Sequence, residues 1–228
     1  MTFAQLQKNI GVTFSDEALL QQAFVHRSYL NEDKHVRSSN ERLEFLGDSV
    51  LSFHTSHYLY SQYPQYPEGT LTNIRSGLVK TKSLYEAADE LHLGELLFLS
   101  RGEEDSGGRK NQSLLADAFE ALLGAIFLDQ GTDVCRIFLT NFLFPKTEKL
   151  IAEKAYIDFK SHLQEIIQEK SRISPTYRVV KSDGPDHSKT FWVEVVASDA
   201  VLGQGVGKSK QEAEQHAAAN ALEKMGKT

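Results

Sequence analysis

Residues 113–128 read SLLADAFEALLGAIFL, and residues 38–53 read SSNERLEFLGDSVLSF. Between Leu114 and Leu128 only Asp117 and Glu120 are polar, so the spacing predicts a helix apolar on nearly every side, which is a buried helix. Asp117 and Glu120 stand three apart and share one face of it. In the other stretch Glu41, Glu44 and Asp48 follow at i, i+3 and i+7, a single stripe among Leu43, Phe45, Leu46, Val50 and Leu51. Ser38 with Glu41 fits a capping box, which predicts a helix start there and gives Glu41 a structural reading beside a catalytic one. Gly47 falls mid-helix, where it costs about 1 kcal/mol against Ala. Close approach of another backbone would justify it.

An ionised carboxylate buried alone costs many kcal/mol, so each of these groups must be protonated, paired or bound to a cation. For Glu44, Asp48, Asp117 and Glu120 together the pattern points to metal binding, with buried salt bridges as the alternative. No Cys or His stands at ligand spacing beside them, and neither Glu44 nor Glu120 has a His three residues on, which argues against a di-iron centre. An oxygen-only set suits a hard divalent cation, Mg²⁺ or Mn²⁺. Carboxylate clusters holding such ions commonly serve phosphoryl chemistry.

The rest of the chain sets the frame. Its 228 residues suggest one larger and one smaller domain. Hydrophobic residues are 40% and charged residues 25%, which excludes a disordered chain or a fibre. No apolar stretch reaches the roughly 18 residues needed to span a bilayer, and the N-terminus lacks the pattern of a signal peptide. The single cysteine, Cys135, can make neither an internal disulfide nor a Cys-based zinc site, and is read as an inert buried thiol. A cytoplasmic location fits. The net charge of −6 argues at face value against nucleic acid, but residues 151–228 hold equal numbers of acidic and basic side chains. The acidity therefore lies in residues 1–150, and bound metal would change the sign of that surface.

Apolar periodicity over residues 1–150 predicts helices near 3–10, 15–29, 40–60, 70–91, 113–130 and 133–154, with a polar loop over 101–109. The His54 and His57 pair is read as structural or solvent-facing. After about residue 155 the pattern changes. A helix over 157–170 is followed by short strands at 176–180, 190–196 and 200–206 and by a helix running to Met225. Phe191, Val193 and Val195 fall on one strand face, and Ala213, Ala217, Ala218 and Ala221 form a small-residue stripe that lets the last helix sit close on the sheet. The architecture expected is thus an all-α domain over 1–152 and an α+β domain, α-β-β-β-α, over 155–226. Ser209 and Glu212 form a capping box that starts the last helix at Lys210. Lysines at a helix N-terminus oppose its dipole, yet with the free N–H groups they make a phosphate site.

Asn40–Leu51, read NERLEFLGDSVL, resembles the signature of the ribonuclease III family, and Leu115–Ala121, read LADAFEA, resembles its second motif. With the α-β-β-β-α segment, the resemblance covers essentially the whole chain. It implies a homodimeric, Mg²⁺-dependent endoribonuclease, with Mn²⁺ able to substitute, that cleaves double-stranded RNA and leaves 5′-phosphate and 3′-hydroxyl ends. It implies roles in ribosomal RNA precursor and messenger RNA processing, with no membrane and no organic cofactor. By motif position Glu44, Asp48, Asp117 and Glu120 match the family's catalytic, metal-binding carboxylates. Glu41 and Phe45 match positions at the dimer interface and near the site, and Glu68 in Pro67–Leu71 would lie near the RNA. Ser49 stands where Ala is common. The C-terminal part resembles a double-stranded-RNA-binding domain, whose surfaces would be Gln164 and Glu165 on the first helix, the loop Gly184-Pro185-Asp186-His187, and Lys208, Lys210 and Gln211. His187 would contact the RNA backbone or shape its loop. Gln211 replaces the second of two lysines usual in that family, so one phosphate contact would be missing. A non-catalytic duplex-binding regulator is the runner-up.

Overall fold

The computed structural model describes residues 1–153, 156, 158–185 and 188–227, residue 170 by its backbone alone. Two compact units emerge, Met1–Tyr156 and Ile157–Thr228.

The first unit is helical: α1 (Phe3–Ile10), α2 (Glu17–Gln22), α3 (Glu41–Gln62), α4 (Glu68–Val79), α5 (Thr81–Glu90), α6 (Arg101–Asp105), α7 (Gln112–Gln130), α8 (Thr132–Phe142) and α9 (Lys146–Ala152). As its composition requires, α7 is the central element: ten of its residues are buried, Phe119 and Leu122 completely. Around it pack α3, α5 and α8. The Asn111 side chain starts α7 by accepting the N–H groups of Ser113 and Leu114.

Helices α3 and α7 cross with their backbones in contact. A Cβ on Gly47 would collide with the carbonyl of Glu120, and one on Gly124 with the carbonyl of Leu43. The mid-helix glycine is thus explained by the partner helix, and the crossing sets one turn of α3 against the turn of α7 that carries Glu120.

Several boundaries differ from expectation. The helix expected over 15–29 stops at Gln22, because residues 24–26 leave it to pair with the chain at Phe98. Phe98 N–H donates to Phe24 O at 2.9 Å and His26 N–H to Phe98 O at 3.1 Å. The helix expected over 70–91 breaks at Lys80, whose ψ of 151° is extended. This turn lets α4 pack on α3 and α9 while α5 packs on α7. The helix expected over 133–154 breaks ahead of Pro145. Residues 101–109 are a short helix and a tight turn rather than an open loop. No capping box joins Ser38 and Glu41. Asn40 is the N-cap and makes no side-chain cap bond. Its backbone N–H instead donates to Val25 O at 2.8 Å, so a tertiary contact holds the start of α3.

The second unit is α10 (Phe159–Ser171), β1 (Thr176–Asp183), β2 (Thr190–Ala197), β3 (Ala200–Gly207) and α11 (Lys210–Lys224), with an antiparallel sheet in the order β1-β2-β3. Val193 pairs with Val179 and Gly205. Val193, Val195 and the four alanines of α11 are buried together with Leu163 of α10. The small stripe of α11 has a counterpart in Gly203, Gly205 and Gly207, where any Cβ would meet α11 backbone atoms. Helix and strand therefore approach at backbone distance. Phe191 packs on this core, and Trp192 lies under the Lys181 ammonium, 4.8 Å from the ring centroid.

Candidate active site and nucleic-acid interface

Glu44 is carried by the first turn of α3, and Asp117 and Glu120 by successive turns of α7. The glycine-mediated crossing brings them together. Carboxylate oxygens of all three lie within 4.8 Å of one another, and each side chain is half-buried. Asp48, one turn further along α3, is exposed and outside this group of three. Its charge still acts on Glu44 and Glu120.

The crowding has an electrostatic cost. Burial pushes the Glu120 carboxyl up to about 8, with Asp48, Glu44 and Asp117 adding to the effect. Glu44 is raised by burial first and then by Asp117, Glu41 and Asp48. Asp117 is raised by burial, and His26 opposes this. Three carboxylates that resist simultaneous ionisation are relieved by one cation between them. The donor set is oxygen only, so the residues present fit a hard divalent ion.

Glu44 and Asp117 also line a cleft of about 290 Å³ with His26, Arg27, Asn40 and Leu97. Sequence reading missed His26, Arg27 and Leu97, whereas Asn40 heads the motif that carries Glu44. Nothing in the spacing of the first three links them to the carboxylates, since the pairing of residues 24–26 with Phe98 brings them there. Glu41 is at the rim, exposed, where it accepts from Ser39 Oγ at 2.8 Å and pairs with Arg27 at 3.8 Å. Phe45 points away from the core and is 79% exposed. Glu68, exposed in the first turn of α4, accepts from Thr72 Oγ1 at 2.9 Å. The carboxylates are thus brought together, while Phe45 and Glu68 stand on other surfaces of the same unit. His54 is buried against α8, 3.0 Å from Thr132 Oγ1, and His57 is exposed. Cys135 is buried, and burial raises its thiol to about 12.

In the second unit Gln164 and Glu165 are exposed on α10, as are Lys208, Lys210 and Gln211 at the start of α11. Ser209 caps α11, accepting the Glu212 N–H at 3.1 Å. The Glu212 carboxylate does not close a capping box on Ser209; it accepts from the Lys208 N–H at 2.6 Å, one residue earlier. The turn before the helix is therefore fixed and its lysine side chains are left outward. Gly184, with φ of +100°, and Pro185 are exposed at the end of β1. His187 lies outside the described residues.

Residues 16–147 match the model of a ribonuclease-III-like domain, and residues 159–225 that of a double-stranded RNA binding motif. The chain belongs to the ribonuclease III family. It is 48% identical over 224 residues to ribonuclease 3 of Geobacillus thermodenitrificans, a match covering 98% of this chain and 91% of the relative. Ribonuclease 3 of Enterococcus faecalis is 45% identical over 222 residues, covering 97% and 96%. Among solved structures, the nuclease domain of ribonuclease III from Campylobacter jejuni aligns with a TM-score of 0.59 and 35% identity, covering 63% of this chain and 99% of that domain. It is described as having a region involved in dimer formation. Membership in the ribonuclease III family makes this chain an endoribonuclease of double-stranded RNA that depends on a divalent metal.

Proposed function

We propose that Glu44, Asp117 and Glu120, with Asp48 beside them, hold Mg²⁺, or Mn²⁺ in its place, and form the hydrolytic centre for double-stranded RNA. The observation that carries this is the meeting of three half-buried carboxylates within 4.8 Å, one of them raised to about 8. When bound, the cation supplies charge neutralisation at the scissile phosphate and lowers the pKa of an attacking water. The carboxylates orient it, and the apolar walls Leu97 and Leu114 limit competing solvent. Water adds to phosphorus, the bond from phosphorus to the 3′ oxygen breaks, and that oxygen takes a proton. The ends left are a 5′-phosphate and a 3′-hydroxyl. No side chain serves as a covalent nucleophile, and no organic cofactor is needed.

The duplex is held by its shape, through phosphates and 2′-hydroxyls. Lys208, Lys210 and the free N–H groups of α11 take phosphate. Gln164, Glu165 and the loop containing Gly184, Pro185 and His187 meet the minor groove. Gln211 supplies no charge there. The chain works as a homodimer, a reading supported by Phe45, Phe53 and Tyr60, three large side chains of α3 that are 79%, 63% and 76% exposed. Glu41 and Glu68 lie at the edge of the duplex path. Ribosomal RNA precursors and messenger RNAs in the cytoplasm are the proposed targets.

The test is cleavage of a long RNA duplex with Mg²⁺ and then with EDTA, against a single strand of the same sequence. Metal-dependent cutting of the duplex alone is expected. Tight duplex binding without cutting would make this chain a non-catalytic regulator.

A further inference from the structure

The cleft beside the carboxylates holds a histidine whose two ring nitrogens are in different situations. His26 Nδ1 lies 2.8 Å from Ser28 Oγ and accepts the Ser28 backbone N–H at 3.4 Å. A backbone N–H can only donate, so Nδ1 is an acceptor and carries no proton. The Ser28 hydroxyl is aligned for the same role, because its oxygen accepts the Ser100 N–H at 3.0 Å and leaves its own proton for Nδ1. The proton of the neutral ring therefore sits on Nε2, an assignment made from the partners.

The backbone around the ring is equally constrained. His26 N–H is bound to Phe98 O, and the preceding carbonyl, that of Val25, accepts from Asn40 N–H, the residue ahead of α3. The imidazole is thus fixed relative to both the start of α3 and the wall at Leu97. It lines the same cleft as Asp117.

We propose that His26, which lines the same cleft as Asp117 but makes no hydrogen bond to it in this structure, is a positioning residue of the nuclease centre: on cation binding its Nε2–H donates to one Asp117 carboxylate oxygen so that the other faces the cation. The Ser100 N–H, Ser28 hydroxyl and His26 ring form a relay that fixes the tautomer. Metal-binding side chains are commonly oriented by such outer hydrogen bonds, whose loss weakens metal affinity about 10–100-fold. This inference rests on the reading of Asp117 as a metal ligand.

The experiment uses the full chain without RNA and titrates Mn²⁺ by electron paramagnetic resonance. Wild type is compared with Asp117→Asn, His26→Ala, His26→Asn and His26→Gln. Thermal unfolding and metal-free duplex binding are followed in parallel. Expected are weak binding in Asp117→Asn and an affinity lower by about 10–100-fold in His26→Ala and His26→Asn. His26→Gln should recover most of the loss, because its amide N–H can reach the place of Nε2–H. Nitrogen-15 NMR of the metal-free protein should find the His26 proton on Nε2. If Asp117→Asn is defective while His26→Ala binds Mn²⁺ like wild type, the positioning role fails and the metal reading stands. If Asp117→Asn also binds normally, both fail. A proton on Nδ1, or a loss in His26→Ala confined to duplex affinity, would likewise overturn the proposal.

Discussion

In the first unit acidic side chains from α3 and α7 are crowded, half-buried and raised above their ordinary values. In the second unit Gln164, Glu165, Lys208, Lys210 and Gln211 are all exposed. The first arrangement is unfavourable until a cation arrives, and two rigid helices in backbone contact hold it in place. The second costs little and relies on a fixed turn at Ser209 to present charge to a phosphate lattice. Chemistry at one phosphorus atom needs preorganised groups in a site of low dielectric. Recognition of a duplex by shape needs only several weak contacts at the right spacing.

The contrast is broken most severely at Glu120. Glu120→Gln should lower duplex cleavage by about three orders of magnitude, the loss of roughly 4 kcal/mol of transition-state stabilisation. Duplex affinity should be unchanged in a gel-shift assay. Full activity at millimolar Mg²⁺ would remove Glu120 from the centre.

Next in size is the pH dependence of the metal-free protein. The folded value of Glu120 is raised from 4.5 to about 8. Its contribution to stability is therefore intact below about pH 4.5 and is lost as pH rises toward 8, with a slope of at most about 1.4 kcal/mol per pH unit. Denaturant unfolding from pH 5 to 8 should show this decline. Mn²⁺ or Glu120→Gln should flatten it, and a flat profile in the metal-free wild type would contradict the crowding.

Gly47→Ala tests the scaffold rather than the charge. Its methyl group meets the Glu120 carbonyl, so a loss of roughly 1–3 kcal/mol is expected, with weakened cleavage. Unchanged urea midpoints would show that α3 and α7 can separate without penalty.

Smaller effects belong to the second unit. Lys210→Ala should weaken binding to all duplexes alike and reduce the salt slope by about 1. A changed sequence preference alone would contradict a phosphate role. Gln211→Lys should tighten binding several-fold and steepen the same slope, the smallest effect of the series.

The crossing of α3 and α7 also marks how far sequence reading reaches. Gly47 announced a close backbone approach, and the two polar positions of α7 announced a buried ionic site, because both violate what an isolated helix prefers. The alanine stripe of α11 announced close packing on the strands for the same reason. Cleft residues His26 and Arg27 gave no such warning. They are ordinary residues shortly after the end of α2.

The amino-acid sequence by itself determined the helical nuclease unit, the α-β-β-β-α unit and the pairing of carboxylates on two helical faces. Those features follow from periodicity and local side-chain chemistry, which act over a few residues. Only the tertiary structure decided that α2 ends early to pair with Phe98, that α4 and α5 part at Lys80, and that Asn40 starts α3 by binding Val25. It also set three carboxylates in one group with Asp48 beside them. Each of these is set by contacts between elements rather than by local spacing, and a backbone hydrogen bond such as that of Phe24 with Phe98, across about 70 residues, leaves no mark on local periodicity.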